Sequence, residues 1–189
     1  IIGNKSTGEL GHAIVECLLR EKAKVTMLEG PVTHILKSKS VKVIKFLFYD
    51  ELRDLLNREL KKIYHIIIQA AAISDYRPNH TDSSKLSSGF SQLKLDLVPT
   101  AKLIDNIKRV SPKSFLVGFK LESNVDNELL MVKANNLVKR ANCDLVVANC
   151  QKGKDFTAYL IDNDRNILAH QTTRQAIARS LIKVLKERV

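Results

Sequence analysis

Apolar and polar residues alternate along this chain with two different periods, one typical of helices and the other of strands. Helical spacing of apolar residues predicts amphipathic helices over 8–21, 49–62, 126–141 and 172–188, with a shorter one from Pro99-Thr100 to about Val110. Short apolar runs predict strands over 24–28, 41–46, 65–72, 115–119 and 144–149. A half-exposed strand is predicted where Leu93, Leu95 and Leu97 alternate with charged residues, and a hairpin over 157–169.

The order of these elements predicts an α/β fold of the Rossmann type. We expect a doubly wound, mostly parallel sheet with helices on both faces and a small antiparallel hairpin extension. At 189 residues the chain fits a single domain, residues 1–189. A Rossmann-type unit opens with a strand, and only Ile1 and Ile2 precede the first turn here. We therefore expect that first strand to be missing from this chain and to come from residues before Ile1 or from a neighbouring chain.

The most informative segment runs from the predicted strand at 65–72 into the loop that follows it. Ile66 to Ile68 predict a strand buried on both faces, and the three alanines at 70–72 leave room for a ligand against the backbone. Asp75, Tyr76 and Arg77 then bring a carboxylate, a phenol and a guanidinium together just before Pro78. Ligands of open α/β sheets bind beyond the carboxyl ends of the strands. The segment therefore predicts the floor and rim of a site for a polar ligand.

The first glycine-rich turn, residues 3–11, matches no nucleotide motif fully. Gly3 and Gly8 have P-loop spacing, but Glu9-Leu10 replaces the required Lys and Ser/Thr, and Ser6 breaks the dinucleotide fingerprint. Glu29 matches the ribose-binding acid of that fingerprint. A helix N-terminus after such a turn favours an anion. The alternative is a tight turn with a capped helix, in which Ser6 and Glu9 form a capping box.

The charge of the chain is strongly basic, with 31 Lys and Arg against 20 Asp and Glu and a net charge of +11. Aromatic residues are only 5%, and the basic residues are spread over every predicted helix. This pattern favours a site for small, multiply anionic ligands over a nucleic-acid surface, which concentrates its cations on one element. No apolar run approaches the ~20 residues that span a bilayer, so no membrane partner is expected.

Cysteine and histidine usage points away from metal and disulfide chemistry. Cys17, Cys143 and Cys150 lack metal-ligand spacing, and their odd number argues against a disulfide framework. The five histidines show no ligand spacing either, so no metal bound by the protein is expected. A cytoplasmic location follows from this cysteine usage.

Six motifs together resemble one family, phosphopantothenate–cysteine ligase, also called phosphopantothenoylcysteine synthetase. They are, in chain order, Asn4-Lys5-Ser6-Thr7-Gly8-x-x-Gly11, Ala70-Ala71-Ala72-Ile73-Ser74-Asp75-Tyr76-Arg77, Lys85-Leu86-Ser87-Ser88-Gly89, Leu97-Val98-Pro99-Thr100, Val117-Gly118-Phe119-Lys120-Leu121-Glu122 and Asp144-Leu145-Val146-Val147-Ala148-Asn149. The resemblance covers essentially the whole chain. The family's opening strand and its Gly-Gly-Thr loop are absent, which puts the completeness of the nucleotide site of this chain in question.

The resemblance implies a two-step ligation in coenzyme A biosynthesis. The carboxylate of 4′-phosphopantothenate attacks the α-phosphate of CTP (or ATP) with Mg²⁺, which gives an acyl nucleotidylate and pyrophosphate. The amine of L-cysteine then displaces the nucleotide, and no protein nucleophile is needed. The resemblance also implies a homodimer and, in many bacteria, fusion to a flavin-dependent phosphopantothenoylcysteine decarboxylase. The Mg²⁺ is expected to be held mainly by the nucleotide phosphates.

The resemblance also implies roles for individual residues. Asn4 would donate to the acyl oxygen, and Lys85 on a mobile flap would close over the triphosphate; both are the implied catalytic residues. The implied nucleotide contacts also include Ala71, Ala72, Asp75, Ala101, Lys102, Leu103, Ile104, Phe119, Lys133 and Lys139. Substrate contacts fall on Asn4, Ser6, Gly8 and Arg77. Since Ala101-Lys102 replaces the Pro-Asp of the family, only backbone contacts transfer to that segment.

Two other classes of function compete with this interpretation. A short-chain NAD(P)-dependent oxidoreductase would use the same sheet and Glu29, but it needs a Tyr-x-x-x-Lys pair. The four tyrosines are followed four residues later by Arg53, Ile68, His80 and Asn163, so the pair is missing. A non-enzymatic module that binds RNA or DNA is the second alternative. Its affinity would fall steeply with salt, and a salt series separates it from the ligase.

Overall fold

The computed structural model describes residues 4, 6–34, 36, 38, 40–80 and 91–189. The helices of this part are α1 Glu9–Arg20, α2 Tyr49–Glu59, α3 Ile107–Val110, α4 Asn127–Ala141 and α5 Arg174–Arg188, and a 3₁₀ turn Leu103–Asn106 leads into α3. The strands are β1 Thr26–Glu29, β2 Lys42–Lys45, β3 Ile66–Gln69, β4 Tyr76–Pro78, β5 Leu97–Pro99, β6 Phe115–Ser123, β7 Leu145–Lys152, β8 Asp155–Asp162 and β9 Ile167–Gln171.

The main sheet has the strand order β3-β6-β7-β8-β9. The first three strands are parallel, and β8 and β9 add an antiparallel hairpin at one edge. This arrangement confirms the predicted α/β sheet with its antiparallel extension. In the described residues β1 and β2 form a separate parallel pair, and β3 pairs only with β6. A further strand at the start of the fold, expected from the sequence, stays a prediction.

The two faces of the sheet carry separate cores because neighbouring residues of a strand point to opposite sides. On one face Leu116 and Val146 pack with apolar residues of α2 and α4. On the other face Val117, Leu145 and Val147 pack with α1 and α5. The prediction of helices on both faces is therefore confirmed.

Several element boundaries differ from the prediction. The strand expected over 65–72 ends at Gln69, and β6 continues to Ser123 because it pairs with β7 along that length. Leu93 and Leu95 lie outside any strand and are 56% and 54% exposed. The strand that forms there, β5, begins at Leu97 and pairs with β4, a strand that the sequence pattern left in a loop.

The start of α1 depends on backbone conformation and not on the expected capping box. Gly8 is the N-cap with φ of 77°, in the left-handed region, and no side chain caps the helix. The hydroxyl oxygen of Ser6 instead accepts a hydrogen bond from the backbone N–H of Gly8 at 3.3 Å. A Cβ at position 8 would lie 2.8 Å from Cγ1 of Val32, so both conformation and packing require glycine there.

The three cysteines are free and buried. Burial raises the pKa of the Cys143 thiol to about 12, and the nearby Asp144 carboxylate adds to this effect. At neutral pH this thiol is protonated, and thiols in that state are poor nucleophiles. Within the part of the chain that the structure describes, no helix combines the length and apolar character needed to cross a bilayer.

Candidate functional site

A cavity of about 340 Å³ lies beyond the carboxyl end of β3, where strand ends of the main sheet meet α4. Four parts of the chain that are distant in sequence form its wall: the end of β3 with its loop, the segment before α3, the middle of β6, and α4. The lining residues are Gln69, Ala71, Ile73, Ser74, Asp75, Thr100, Ala101, Lys102, Leu103, Ile104, Phe119, Lys120, Lys133, Asn136, Leu137 and Arg140. This is the edge at which α/β sheets bind ligands.

The two loops of the cavity are held together by backbone-directed hydrogen bonds. The backbone N–H of Thr100 donates to the carbonyl oxygen of Asp75 at 2.9 Å, and its buried hydroxyl donates to the carbonyl oxygen of Ser74 at 2.6 Å. The hydroxyl of Tyr49 in α2 donates to the carbonyl oxygen of Ala101 at 2.9 Å. These bonds fix the backbone of both loops, so their groups are preorganised for a ligand.

An ion pair joins the same two loops. The ammonium group of Lys102 contacts the carboxylate of Asp75, and both side chains are largely exposed. Position 102 was expected to offer only backbone contacts, because the family has a carboxylate there. The structure gives Lys102 a role of its own as a cation on the rim, which restrains Asp75 and faces any anion in the cavity.

A second ionic cluster lies where β6 meets α4. One oxygen of Glu122 is 3.0 Å from Nζ of Lys120, and the other is 2.7 Å from Nζ of Lys133. Burial opposes the charge of Glu122, but the hydrogen bonds from Lys133 and Lys120 outweigh it, so the pKa of this carboxyl lies below its ordinary value. Glu122 therefore stays ionised at neutral pH and positions the two ammonium groups at the cavity.

The cavity has a small excess of positive charge. Lys102, Lys120, Lys133 and Arg140 line it, against one lining carboxylate, Asp75. The four cations are paired with three carboxylates, those of Asp75, Glu122 and Asp105, so one positive charge is in excess. A concave site with an excess of one sign of charge attracts ligands of the opposite sign. The sign of this excess agrees with the predicted preference for anionic ligands.

Asn4 reaches the wall of this cavity from the loop that precedes α1. Its amide nitrogen donates to the carbonyl oxygen of Ile73 at 2.8 Å, and Ile73 lines the cavity. Ser6 and Gly8 belong to the same loop, but they serve its backbone geometry and do not line the cavity. The structure thus brings Asn4 next to the loop of Asp75, although 69 residues of chain separate Asn4 from Ile73.

Eight of the predicted site residues line the cavity: Ala71, Asp75, Ala101, Lys102, Leu103, Ile104, Phe119 and Lys133. Besides Asn4, Ser6 and Gly8, three others lie outside its lining. Ala72 is exposed, Arg77 lies 3.6 Å from the Asp50 carboxylate, and Lys139 is exposed in the last turn of α4. Lys139 misses the cavity because six residues separate it from Lys133, which is not a whole number of helical turns. Lys85 lies outside the described residues.

Six polar lining residues were not among the predicted site residues: Gln69, Ser74, Thr100, Lys120, Asn136 and Arg140. Asn136 and Arg140 follow Lys133 by three and seven residues, so helical spacing alone would have placed them on its face. Gln69 is the last residue of β3, and its amide nitrogen is buried with no hydrogen-bond partner among the described residues. A buried donor without a partner is costly, which makes this amide a ready contact for a ligand oxygen.

The carboxylates of the cavity do not suit a metal ion held by the protein. Asp75 is paired with Lys102, and Glu122 with Lys120 and Lys133. Over the described ranges no three His, Cys, Asp or Glu side chains come close enough together to hold a metal ion.

Replacing Lys133 with Gln is expected to weaken the binding of a triphosphate anion about tenfold, which corresponds to about 1.4 kcal/mol of binding. The variant loses a lining cation that is paired with Glu122. The matched control is Lys139→Gln on the same helix, which removes an exposed charge outside the cavity and should leave the Kd unchanged. Calorimetric titration with inorganic triphosphate at fixed ionic strength measures both. Equal effects of the two substitutions would show that only the overall charge matters.

This chain is similar to proteins of one family over most of its length. The model of the DNA/pantothenate metabolism flavoprotein C-terminal domain family matches residues 1–188. The coenzyme A biosynthesis bifunctional protein CoaBC of Thermococcus kodakarensis is 37% identical over 154 residues, which are 80% of this chain and 37% of that protein. The chain therefore spans well under half of the length of this relative.

Solved structures share the fold at low sequence identity. The DNA/pantothenate metabolism flavoprotein from Streptococcus pneumoniae has a TM-score of 0.88 at 22% identity, over 100% of this chain and 91% of its own. A Cab2 mutant in complex with phosphopantothenate-cysteine has a TM-score of 0.70 at 17% identity, over 100% of this chain and 82% of its own. Since the family model extends over nearly every residue, this chain belongs to the DNA/pantothenate metabolism flavoprotein C-terminal domain family.

Proposed function

We propose that this chain is a phosphopantothenate–cysteine ligase, which joins 4′-phosphopantothenate and L-cysteine through an acyl nucleotidylate made from CTP or ATP. One observation carries the proposal: distant motifs of the sequence meet at a single cation-lined cavity with Asn4 at its wall. The relative from Thermococcus kodakarensis is named as a coenzyme A biosynthesis protein, and the Cab2 mutant was solved with phosphopantothenate-cysteine. Both names support this chemistry.

In the first step the protein must bind two anions side by side, 4′-phosphopantothenate and the nucleoside triphosphate. An oxygen of the phosphopantothenate carboxylate attacks the α-phosphorus, and the bond to the pyrophosphate oxygen breaks. Lys102, Lys120 and Lys133 offset the negative charge of both reactants, because their ammonium groups line or adjoin the cavity in fixed ion pairs. Fixed cations that face the developing charge need no rearrangement during the reaction.

The second step forms the amide. The amine nitrogen of cysteine attacks the acyl carbon, and the nucleoside monophosphate leaves with the electron pair of the C–O bond. Negative charge develops on the acyl oxygen, and an amide N–H is a suitable neutral donor to it. Asn4 fits this role because its side chain already lies at the cavity wall, 2.8 Å from the Ile73 carbonyl oxygen that it would exchange for the ligand.

Magnesium belongs to the nucleotide substrate in this proposal. Asp75 at the cavity and Glu122 next to it form ion pairs with lysines. Among the described residues no group of three His, Cys, Asp or Glu side chains could hold a metal ion. Mg²⁺ usually keeps several waters and binds substrate phosphates with few protein ligands, which agrees with such a site.

The deciding experiment incubates the chain with 4′-phosphopantothenate, L-cysteine, Mg²⁺ and either CTP or ATP. Pyrophosphate release and amide product are followed separately, with omission of phosphopantothenate as the control. We expect release that depends on phosphopantothenate, product only when cysteine is present, and a preference between the two nucleotides. No release with either nucleotide, in a protein that carries the whole domain of its relatives, would reject the proposal.

We further propose that the chain acts together with a flavin-dependent phosphopantothenoylcysteine decarboxylase in the cytoplasm. The relative is described as bifunctional, and the matched region is a minor part of it. Three free, buried cysteines suit a reducing compartment. The decarboxylase would consume the ligation product, whose new cysteine carboxyl group is its substrate.

A homodimer is expected because β4 and β5 pair with no third strand among the described residues, and apolar side chains on this ribbon and just before it are exposed. Tyr76, Leu93 and Leu95 are each more than half exposed, and Leu97 is 39% exposed. Pairing of two such edges would cover them. Light scattering should give twice the 21.3 kDa chain mass, and Leu95→Lys should shift the population towards the monomer. A purely monomeric parent chain at micromolar concentration would contradict this.

A further inference from the structure

A chain of three titratable side chains lies beside the Asn4 loop. Nε2 of His12 is 2.8 Å from Oε1 of Glu29, and Nδ1 of His12 is 2.8 Å from Nδ1 of His34. His12 is 2% exposed, Glu29 is half-buried and His34 is exposed. The chain thus runs from a shielded carboxylate through a buried imidazole to an imidazole at the surface.

One arrangement of protons satisfies both contacts. An ionised Glu29 accepts the Nε2–H of His12, which leaves Nδ1 of a neutral His12 with a lone pair. Nδ1–H of His34 is then the donor between the two rings, so Nε2 of His34 carries the exposed lone pair. In this arrangement a proton adds at Nε2 of His34 without breaking either hydrogen bond.

His34 is tied to the loop that carries Asn4. Its backbone N–H donates to the carbonyl oxygen of Thr7 at 2.9 Å. Thr7 and Asn4 belong to the same short loop before α1, and Asn4 donates to Ile73 at the cavity wall. The loop of Asn4 and Thr7 therefore connects His34 to Ile73 at the cavity wall.

The ligation needs a proton acceptor, and the described lining residues include no histidine and no unpaired carboxylate. This requirement rests on the proposed function, in which the ammonium of cysteine must become an amine before it can attack. Asp75 is paired with Lys102, and Glu122 is held ionised by two lysines with its pKa lowered. No histidine is among the lining residues of the described cavity.

We propose that Glu29, His12 and His34 form a proton-accepting relay for the second step. Nε2 of His34 takes the first proton from the cysteine ammonium, and the freed lone pair attacks the acyl carbon. The second proton leaves the nitrogen for water or the phosphate as the C–N bond forms and the C–O bond breaks. The nucleoside monophosphate keeps the electron pair of that C–O bond, and His34 returns its proton to solvent.

The relay also accounts for Glu29, which the sequence associated with the ribose of a dinucleotide. Its carboxylate is engaged by His12 and is only 14% exposed. The same residue that suggested an oxidoreductase thus orients a histidine pair. A carboxylate that orients an imidazole is a recurrent arrangement in proton-transfer sites.

The test compares two nucleophiles on His34→Gln. Hydroxylamine is largely unprotonated at neutral pH and needs no base before it attacks, whereas cysteine does. We expect unchanged pyrophosphate release without cysteine, amide formation slowed ~10²–10⁴-fold, and unchanged hydroxamate formation. Glu29→Gln should show the same pattern with a smaller loss. Imidazole added to His34→Ala should restore part of the amide formation.

The matched control is His65→Gln, an exposed histidine at the amino end of β3, away from the cavity, which should leave both reactions unchanged. The relay is rejected if His34→Gln forms amide at the parent rate. It is also rejected if amide and hydroxamate formation fall equally, since that pattern indicates a structural role for the loop. A parent protein that releases no pyrophosphate with phosphopantothenate rejects the proposed function instead.

Discussion

Asn4→Asp is expected to slow amide formation by ~10²–10³-fold, the usual cost of losing one preorganised donor to a developing oxyanion. The substitution replaces the amide N–H that lies at the cavity wall, 2.8 Å from the Ile73 carbonyl oxygen, with a carboxylate oxygen that can only accept. It also places a negative charge beside an acyl phosphate. We expect pyrophosphate release to persist in a single turnover and the acyl nucleotidylate to accumulate, which quenched-flow chromatography detects.

The matched control is Asn127→Asp in the exposed first turn of α4, where a carboxylate is favoured by the helix dipole. It introduces the same charge change at an exposed residue outside the cavity lining, so it should leave both steps unchanged. Circular dichroism of both variants shows whether they keep the fold. If Asn4→Asp and the control ligate cysteine at equal rates, Asn4 is not the donor.

The overall fold was accessible from the sequence because it depends on local periodicity. Helical and strand patterns persist for whole elements in α4, α5, β7 and the β8–β9 hairpin, and the observed bounds agree within a few residues. The short β4–β5 ribbon was harder to predict from the sequence. It forms by pairing of two segments that are about 20 residues apart, and a strand of three residues is too short to show a clear alternation of apolar and polar positions.

Part of the site was accessible because the motifs that carry the family resemblance mark it. Asp75 follows the end of β3, Phe119 lies in the middle of β6 and Lys133 within α4, and all three line the cavity. Contacts between side chains were not accessible. The pairing of Lys102 with Asp75 spans 27 residues, and that of His12 with His34 spans 22, so neither follows from spacing.

The largest loss of stability is expected from Gly118→Ala, which tests how tightly the floor of the cavity is packed. Gly118 lies in the middle of β6, between β3 and β7. A Cβ there would lie 2.9 Å from Sγ of Cys143 and 3.2 Å from side-chain carbons of Ile104 and Leu137. All three neighbours are buried, so none can retreat into solvent.

Overpacking of this kind typically costs about 1–3 kcal/mol of unfolding free energy. Because Ile104 and Leu137 also line the cavity, the displaced side chains should weaken nucleotide binding together with stability. Urea denaturation gives the unfolding free energy, and calorimetric titration with CTP or ATP gives the nucleotide affinity. The contrasting variant is Gly11→Ala in α1, where an added Cβ meets no atom within 4 Å.

In that helical position alanine should raise the unfolding free energy by about 0.5–1 kcal/mol, because it removes the conformational freedom of glycine in the unfolded chain. The two identical chemical changes are therefore expected to have opposite signs. The opposite signs follow from the surroundings of each glycine. Buried side chains crowd the position of a Cβ at Gly118, whereas the space around a Cβ at Gly11 is open. A Gly118→Ala variant with the urea midpoint and the nucleotide affinity of the parent would mean that the floor yields to an added methyl group, and that the cavity is less rigid than its buried lining indicates.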